Sequence, residues 1–279
     1  MRIRATVAAL SGTLALSALA VPAAHAADAP KAPNATTFAA KAPADVTRGD
    51  TKITKITVNG GKDIVVGTSA KKSVKIAVTA TDPSGIQDGK ALLWHGTAFD
   101  EDHIDGSMVP TTRTGDCKVV NATTSTCTVT VVADPNANIY GNVLAGKWKI
   151  WAIAQGKDGD YVQKDAFPSS VSVKRAAKLT TNASPEPVKK GKTLTVTGAL
   201  TRANWDSAKY AGYTQQSVKL QYKKKGASSY TTLKTIKSDT KGNLKTTVKA
   251  SADGYFRYVF AGTSTTPSVT STADFVDVR

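Results

Sequence analysis

Residues that carry chemistry are scarce in this chain. It has 2 cysteines and 3 histidines among 279 residues, from which no cysteine-rich scaffold, zinc ribbon or haem attachment site can be assembled. Beyond residue 26 the histidines are His95 and His103 and the glutamates Glu101 and Glu186, so the types on which general acid–base catalysis usually draws are nearly missing. There is no G-x-S-x-G elbow, no H-E-x-x-H helix and no phosphate-binding loop. An enzyme is therefore not expected. Aromatic residues make up only 6% of the chain, and Asp plus Glu number 21 against 37 Lys plus Arg. What remains is a hydrophobic content of 41%, enough for about two ordinary domains and too much for a disordered chain.

The one long apolar run lies at the start. Residues 1–26 carry Arg2 and Arg4, an apolar stretch from Ala5 to Val21, Pro22 and the small-residue end Ala24-His25-Ala26. This is the pattern of a secretory signal peptide, too short and too early interrupted for a membrane-spanning helix. The chain is expected to be secreted, extracellular and without a transmembrane anchor. Residues 27–50, rich in Ala and Pro with Phe38 as their one aromatic, read as a flexible tail. The alternative is a segment that orders on a partner by strand addition.

From Thr51 onward the hydrophobic period is two. Val74, Ile76, Val78 and Ala80 alternate with Lys75, Ala77 and Thr79, and the run stops at the turn-forming Asp82-Pro83-Ser84-Gly85. Trp148 to Ala154 is apolar on both faces, as in a central or covered strand. In the second half Val218, Leu220 and Tyr222 alternate with Lys219, Gln221 and Lys223, and Leu244, Thr246 and Val248 with Lys245, Thr247 and Lys249. Asp239 to Asn243 reads as a hairpin turn. Short strands with no helices between them predict an all-β chain of two tandem antiparallel Ig-like β-sandwiches, residues 51–175 and 178–279, joined by a very short linker. Charge divides along the same line: residues 27–177 carry 18 bases and 15 acids, residues 178–279 carry 17 and 6.

The stretch Val78-Thr79-Ala80-Thr81-Asp82-Pro83-Ser84-Gly85-Ile86 resembles the strand-turn of bacterial Ig-like and cadherin-like extracellular modules. The run from Ser217 to Gly262, with SVKLQYKKKG and GYFRYVFAG, is similar to bacterial Ig-like domains of surface and secreted proteins. Over most of its length the chain resembles secreted two-domain proteins of actinobacteria, some of them described as calcium-binding. The resemblance implies a fold more firmly than a function, because one sandwich architecture hosts many activities.

Four groups of side chains invite a functional reading. Cys117 and Cys127, ten positions apart around the turn-like Asn121-Ala122-Thr123-Thr124, are expected to form a structural disulfide in an exported protein. The acidic loop Asp100-Glu101-Asp102-His103-Ile104-Asp105 offers Asp100, Asp102 and Asp105 as metal ligands, with Asp82 and Asp88 at another turn and Asp158 and Asp160 at a third. Calcium needs six to eight oxygens, and the loop lacks the alternating register of an EF-hand. No cofactor is expected, calcium being the alternative. Residues 201–216, an excursion between two strands, carry Trp205, Tyr210 and Tyr213 as a platform for sugar rings; the competing reading buries Trp205 over the open end of the sandwich. Lys219, Lys223, Lys224, Lys225, Lys245 and Lys249 form a basic surface. With so little arginine, it suits nonspecific attraction to acidic polymer better than specific nucleic-acid readout.

The function expected from these features is non-enzymatic binding to anionic cell-wall or extracellular polymer or carbohydrate. The alternatives are an adaptor in an extracellular protein assembly, working through sheet edges and the tail, and a calcium-binding extracellular module.

Overall fold

The computed structural model describes residues 45–279; the signal-peptide reading of residues 1–26 and most of the tail lie outside them. The first strands are β1 (Val46–Arg48), β2 (Lys52–Val58), β3 (Ile64–Val66), β4 (Lys72–Thr81), β5 (Ile86–Gly96) and β6 (Ile104–Met108). They continue with β7 (Asp116–Asn121), β8 (Thr124–Ala133), β9 (Gly146–Gly156), β10 (Tyr161–Lys164) and β11 (Ser170–Arg175). After a single intervening residue come β12 (Ala177–Leu179), β13 (Asn182–Ser184), β14 (Thr193–Asn204), β15 (Lys209–Gly212) and β16 (Ser217–Lys224). The last are β17 (Thr231–Lys237), β18 (Asn243–Lys249), β19 (Gly254–Phe260), β20 (Val269–Thr270) and β21 (Asp274–Val276).

In the first sandwich a four-stranded sheet, β2-β4-β8-β7, faces a seven-stranded sheet built around β9. Strand β9 pairs with β5 along one side and with β11 and then β10 along the other. The alternation read in β4 points Val74, Ile76 and Val78 into a core shared with Val129 and Val131 of β8 and with Leu93, Trp148 and Ile150 of the opposite sheet. The second apolar face of β9 is also buried. Trp151 and Ile153 pack with Leu92, Trp94 and Tyr161 beneath Val46, Phe99 and Ile104. Most pairs are antiparallel, as expected; β3 with β11 is parallel.

The tail reading of residues 27–50 is corrected at its end. Val46–Arg48 pairs with β10, and Asp45 is tied to Lys164 at 2.9 Å. Val46 supplies apolar cover to the Trp151 face, an attraction that the Ala/Pro composition around it conceals.

The second sandwich sets the sheet of β12, β13, β14, β15 and β18 against the sheet of β16, β17, β19, β20 and β21. Leu194, Val196 and Leu244 of the one meet Val218, Leu220, Phe256, Tyr258 and Phe260 of the other. The segment Asp239–Asn243 turns as expected, with Gly242 at φ +86° and Asp239 accepting hydrogen bonds from the backbone N–H groups of Lys241 (2.7 Å) and Asn243 (2.8 Å), but it is not a hairpin: β17 pairs with β16 and β18 with β14, so the turn carries the chain from one sheet to the other. The two N–H donors hold the Asp239 carboxyl below its usual range.

The excursion expected over 201–216 is largely a hairpin. Strand β14 runs on to Asn204 and returns as β15, and its turn reaches the first sandwich, with which it shares one compact unit. Trp205 is 4% exposed and sits with Ala203 in the core of the first sandwich. Its Nε1–H donates to the Gly67 carbonyl at 2.9 Å, and its backbone N–H donates to Asn142 Oδ1 at 3.0 Å. Asn142 also donates to Asn204 Oδ1 at 2.8 Å and contacts the Asp206 carboxylate. The Arg175 Nε donates to the Ala203 carbonyl at 2.6 Å. Burial, and then the neighbouring charge of Arg202, lowers the Arg175 pKa to about 10.

Candidate functional site

Two surfaces gather charged residues, at opposite signs and in different sandwiches. The acidic one forms where three turns of the first sandwich meet: the turn before β2, the β4–β5 turn and the β9–β10 turn. Among the described residues the carboxylates that converge are Asp50, Asp82 and Asp160, whose ligand oxygens lie within 4.8 Å of one another. Gly49 at φ +72° lets the chain pass there, since a Cβ would fall on the Asp160 carboxylate. Asp82 is buried. It accepts hydrogen bonds from the Thr51 hydroxyl at 2.5 Å, the Ser84 hydroxyl at 2.5 Å and the Ser84 N–H at 2.8 Å. Burial pushes its carboxyl upward, but the Ser84 and Thr51 hydrogen bonds outweigh it and hold the group below the usual carboxylate range. Three carboxylates of this kind can hold a divalent cation.

Of the acids named from the sequence, Asp82 and Asp160 belong to this group, while Asp158 accepts the Asp160 N–H at 3.1 Å. Asp88 is paired with Lys90 at 3.1 Å and accepts the N–H groups of Gly89 and Gly115. Asp100 is taken by His103 at 2.5 Å and by two backbone N–H groups of its own turn. Asp105 lies in β6 and bonds His95 at 2.5 Å, while Asp102 is exposed on the turn. The acidic loop is thus not one ligand shell. Neighbouring histidines and backbone donors claim Asp100 and Asp105, and β6 carries Asp105 away from Asp102.

The aromatic platform expected at Trp205, Tyr210 and Tyr213 is likewise not an open ring surface. Trp205 is buried in the first sandwich, as above. Tyr210 packs against the same core, with the Lys178 ammonium 4.0 Å from its ring centroid. Tyr213 meets Phe260 edge-on at 5.6 Å and is covered by Arg202 at 3.9 Å. The physical reason is that a neighbouring apolar core outcompetes water for rings carried on a hairpin of this length.

The six lysines of the basic surface divide between two faces. Lys245 and Lys249 point outward from β18, and Lys249 donates to Thr193 Oγ1 across its own sheet. Lys219 and Lys223 point outward from β16, in the other sheet of the sandwich, and Lys224 and Lys225 follow at the end of that strand. Lys225 is paired with Asp253 at 3.6 Å.

The β16 face has a feature that no lysine count reveals. Because directly opposed residues of antiparallel strands project to one side, Lys223 lies beside Tyr255, Gln221 beside Arg257, and Tyr255 beside Phe275. Tyr255 and Phe275 have ring centroids 5.1 Å apart. The Lys223 ammonium lies 5.2 Å from both the Tyr255 and the Tyr230 ring centroids. The Arg257 guanidinium stacks on Tyr230 at 3.6 Å, and its Nε donates to Gln221 Oε1 at 2.9 Å. Strands β16, β17 and β19 contain no acidic residue. The outcome is a row of half-buried rings interleaved with cations, on a face whose three longest strands carry no acid.

Tyr230, Tyr255, Arg257 and Phe275 were not singled out by the sequence. The alternation in Gly254–Phe260 does set Tyr255 and Arg257 opposite Phe256 and Tyr258, which was a readable signal. Their meeting with Lys223 and Tyr230 depends on strand register.

Cys117 and Cys127 form the expected disulfide, with an S–S distance of 2.02 Å, joining β7 to β8. Among the described residues no helix is long and apolar enough to cross a membrane.

Residues 64–154 match a family described as "Family of unknown function (DUF5707)". No curated protein matches the chain. Among solved structures the chain is similar to fibronectin(III)-like modules of CbhA from Clostridium thermocellum, at 13% identity over 80% of this chain and 93% of that one, TM-score 0.30. A marsupial T cell receptor shares 13% identity over 81% of this chain and 72% of its own, TM-score 0.36. Dimeric latent PorU from Porphyromonas gingivalis shares 11% identity over 82% of this chain, TM-score 0.27, and the match spans only 20% of PorU.

Proposed function

We propose that the protein is exported and acts as a non-catalytic binding protein, attaching to anionic cell-wall or extracellular polymer or carbohydrate through the outer face of the β16–β19 sheet. The observation that carries this reading is the row Tyr230, Lys223, Tyr255 and Phe275, flanked by Arg257, on a face whose three main strands hold no acid. Cations draw an acidic polymer in over about 8 Å at physiological ionic strength. Ring faces then give short-range contact to which a purely ionic surface has no equivalent. The signal-peptide pattern of residues 1–26 and the Cys117–Cys127 disulfide, a bond that persists in oxidising compartments, support export.

Retention of the full chain on the polymer fraction of a bacterial cell wall, measured at rising salt, tests this. Retention should fall with salt. The K219A/K223A pair should weaken it by about tenfold, equivalent to roughly 1.4 kcal/mol, and the K245A/K249A pair on the other face by much less. Equal effects from the two pairs, or no retention at low salt, would contradict the assignment.

A second reading, a calcium-binding extracellular module, is favoured by one observation: Asp50, Asp82 and Asp160 converge although they come from three separate turns.

A further inference from the structure

We propose that Arg257 is the specificity-determining residue of this face, and that the ligand it selects is a polysaccharide whose sugar rings carry carboxylates. This rests on the reading of the β16–β19 face as the binding surface and names the chemistry it takes.

The cations of this face are held in different ways. Lysine presents a mobile point charge, whereas a guanidinium presents a planar fork that matches a carboxylate with two parallel hydrogen bonds. Arg257 is the one arginine on β16, β17 and β19, and its plane is fixed from two directions. Tyr230 lies under it at 3.6 Å, and Gln221 takes its Nε–H at 2.9 Å. Its two terminal nitrogens have no hydrogen-bond or carboxylate partner among the described residues. Arg202 is stacked in a similar way on Tyr213, but its Nη1 is spent on Thr266, and Arg279 is paired with Asp277. Arg257 is thus an oriented donor pair without an acceptor, on strands that carry no acid of their own.

The rings decide between anionic polymers. Tyr255 and Phe275 lie beside Lys223 in the direction across the strands, so a ligand reaching Arg257 along this face meets flat apolar surface. The carbon face of a sugar ring can use that surface. A polymer of phosphates and open-chain polyols has no ring to place there, and the lysines alone would hold it.

The experiment measures affinity of the full chain for polygalacturonate, for carboxyl-reduced polygalacturonate, for poly(glycerol phosphate) and for single-stranded DNA, at low and at physiological salt. Arg257→Lys keeps the charge and removes the fork. Gln221→Ala leaves Arg257 in place and frees its plane, and serves if the first variant does not fold. The proposal expects polygalacturonate to be preferred at physiological salt. It expects R257K to bind it at least tenfold more weakly and Q221A to be intermediate, with attraction at low salt nearly unchanged. Equal binding of polygalacturonate by wild type, R257K and Q221A overturns the role of Arg257 while leaving the binding face standing. Tighter binding of the phosphate polymer or of DNA overturns the ligand class. Binding of no polyanion, even at low salt, overturns the underlying reading itself.

Discussion

Asp82 shows what a single carboxylate does here that its sequence context only half announces. The turn Asp82-Pro83-Ser84-Gly85 was legible, because such residues favour turns for separate and known reasons. That the carboxylate is buried beneath Thr51 and joined by Asp50 and Asp160 was not, since those acids arrive from turns far along the chain. Hydrogen bonds hold its pKa below the ordinary 3.8. The folded state therefore binds fewer protons than the unfolded one as pH falls below about 3.8, and stability is lost through that window. Above it the contribution is present in full. Asp82→Asn should cost about 1–3 kcal/mol at neutral pH, and its deficit relative to wild type should shrink as the pH is lowered from 5 to 2 in a series of urea titrations. If the three carboxylates hold calcium, added calcium should raise the melting temperature of wild type at neutral pH and leave D82N unchanged. An equal rise in both would place the ion elsewhere.

The hairpin of β14 and β15 is the element that sequence reading placed but did not understand. Period-two alternation identified β4, β16 and β18 because each buries one face against its own sandwich, which is the condition under which the pattern exists. Short strands such as β13, β15 and β20 carry too few residues for a period, and β1 lies in an Ala/Pro-rich context. Trp205 follows neither rule, because its apolar surroundings belong to the other sandwich. Trp205→Ala should destabilise the first sandwich by about 3–5 kcal/mol, the usual loss for removing a large aromatic from a core. Trp205→Phe retains much of the packing but strands the Gly67 carbonyl, and should cost less. Denaturant unfolding followed by far-ultraviolet circular dichroism distinguishes these outcomes; an unchanged midpoint in W205A would show that the hairpin merely rests on the surface.

Across the whole molecule, charge is arranged by face rather than by domain average. The excess of bases over acids in residues 178–279 was countable from the sequence. Its division between the β16 and β18 sheets, and its interleaving with rings on one of them, appear only once the register sets Lys223 beside Tyr255 and Gln221 beside Arg257. The β18 face, with Lys245 and Lys249, has charge without a comparable row of rings. This contrast makes the central claim a statement about location, and it is tested most directly by backbone amide NMR of the full chain titrated with galacturonate oligosaccharides. The account predicts shift changes concentrated at Gln221, Lys223, Tyr255, Arg257 and Phe275, with Lys245 and Lys249 little affected. Changes confined to β18 or to the first sandwich, or none at any oligosaccharide concentration, would contradict it.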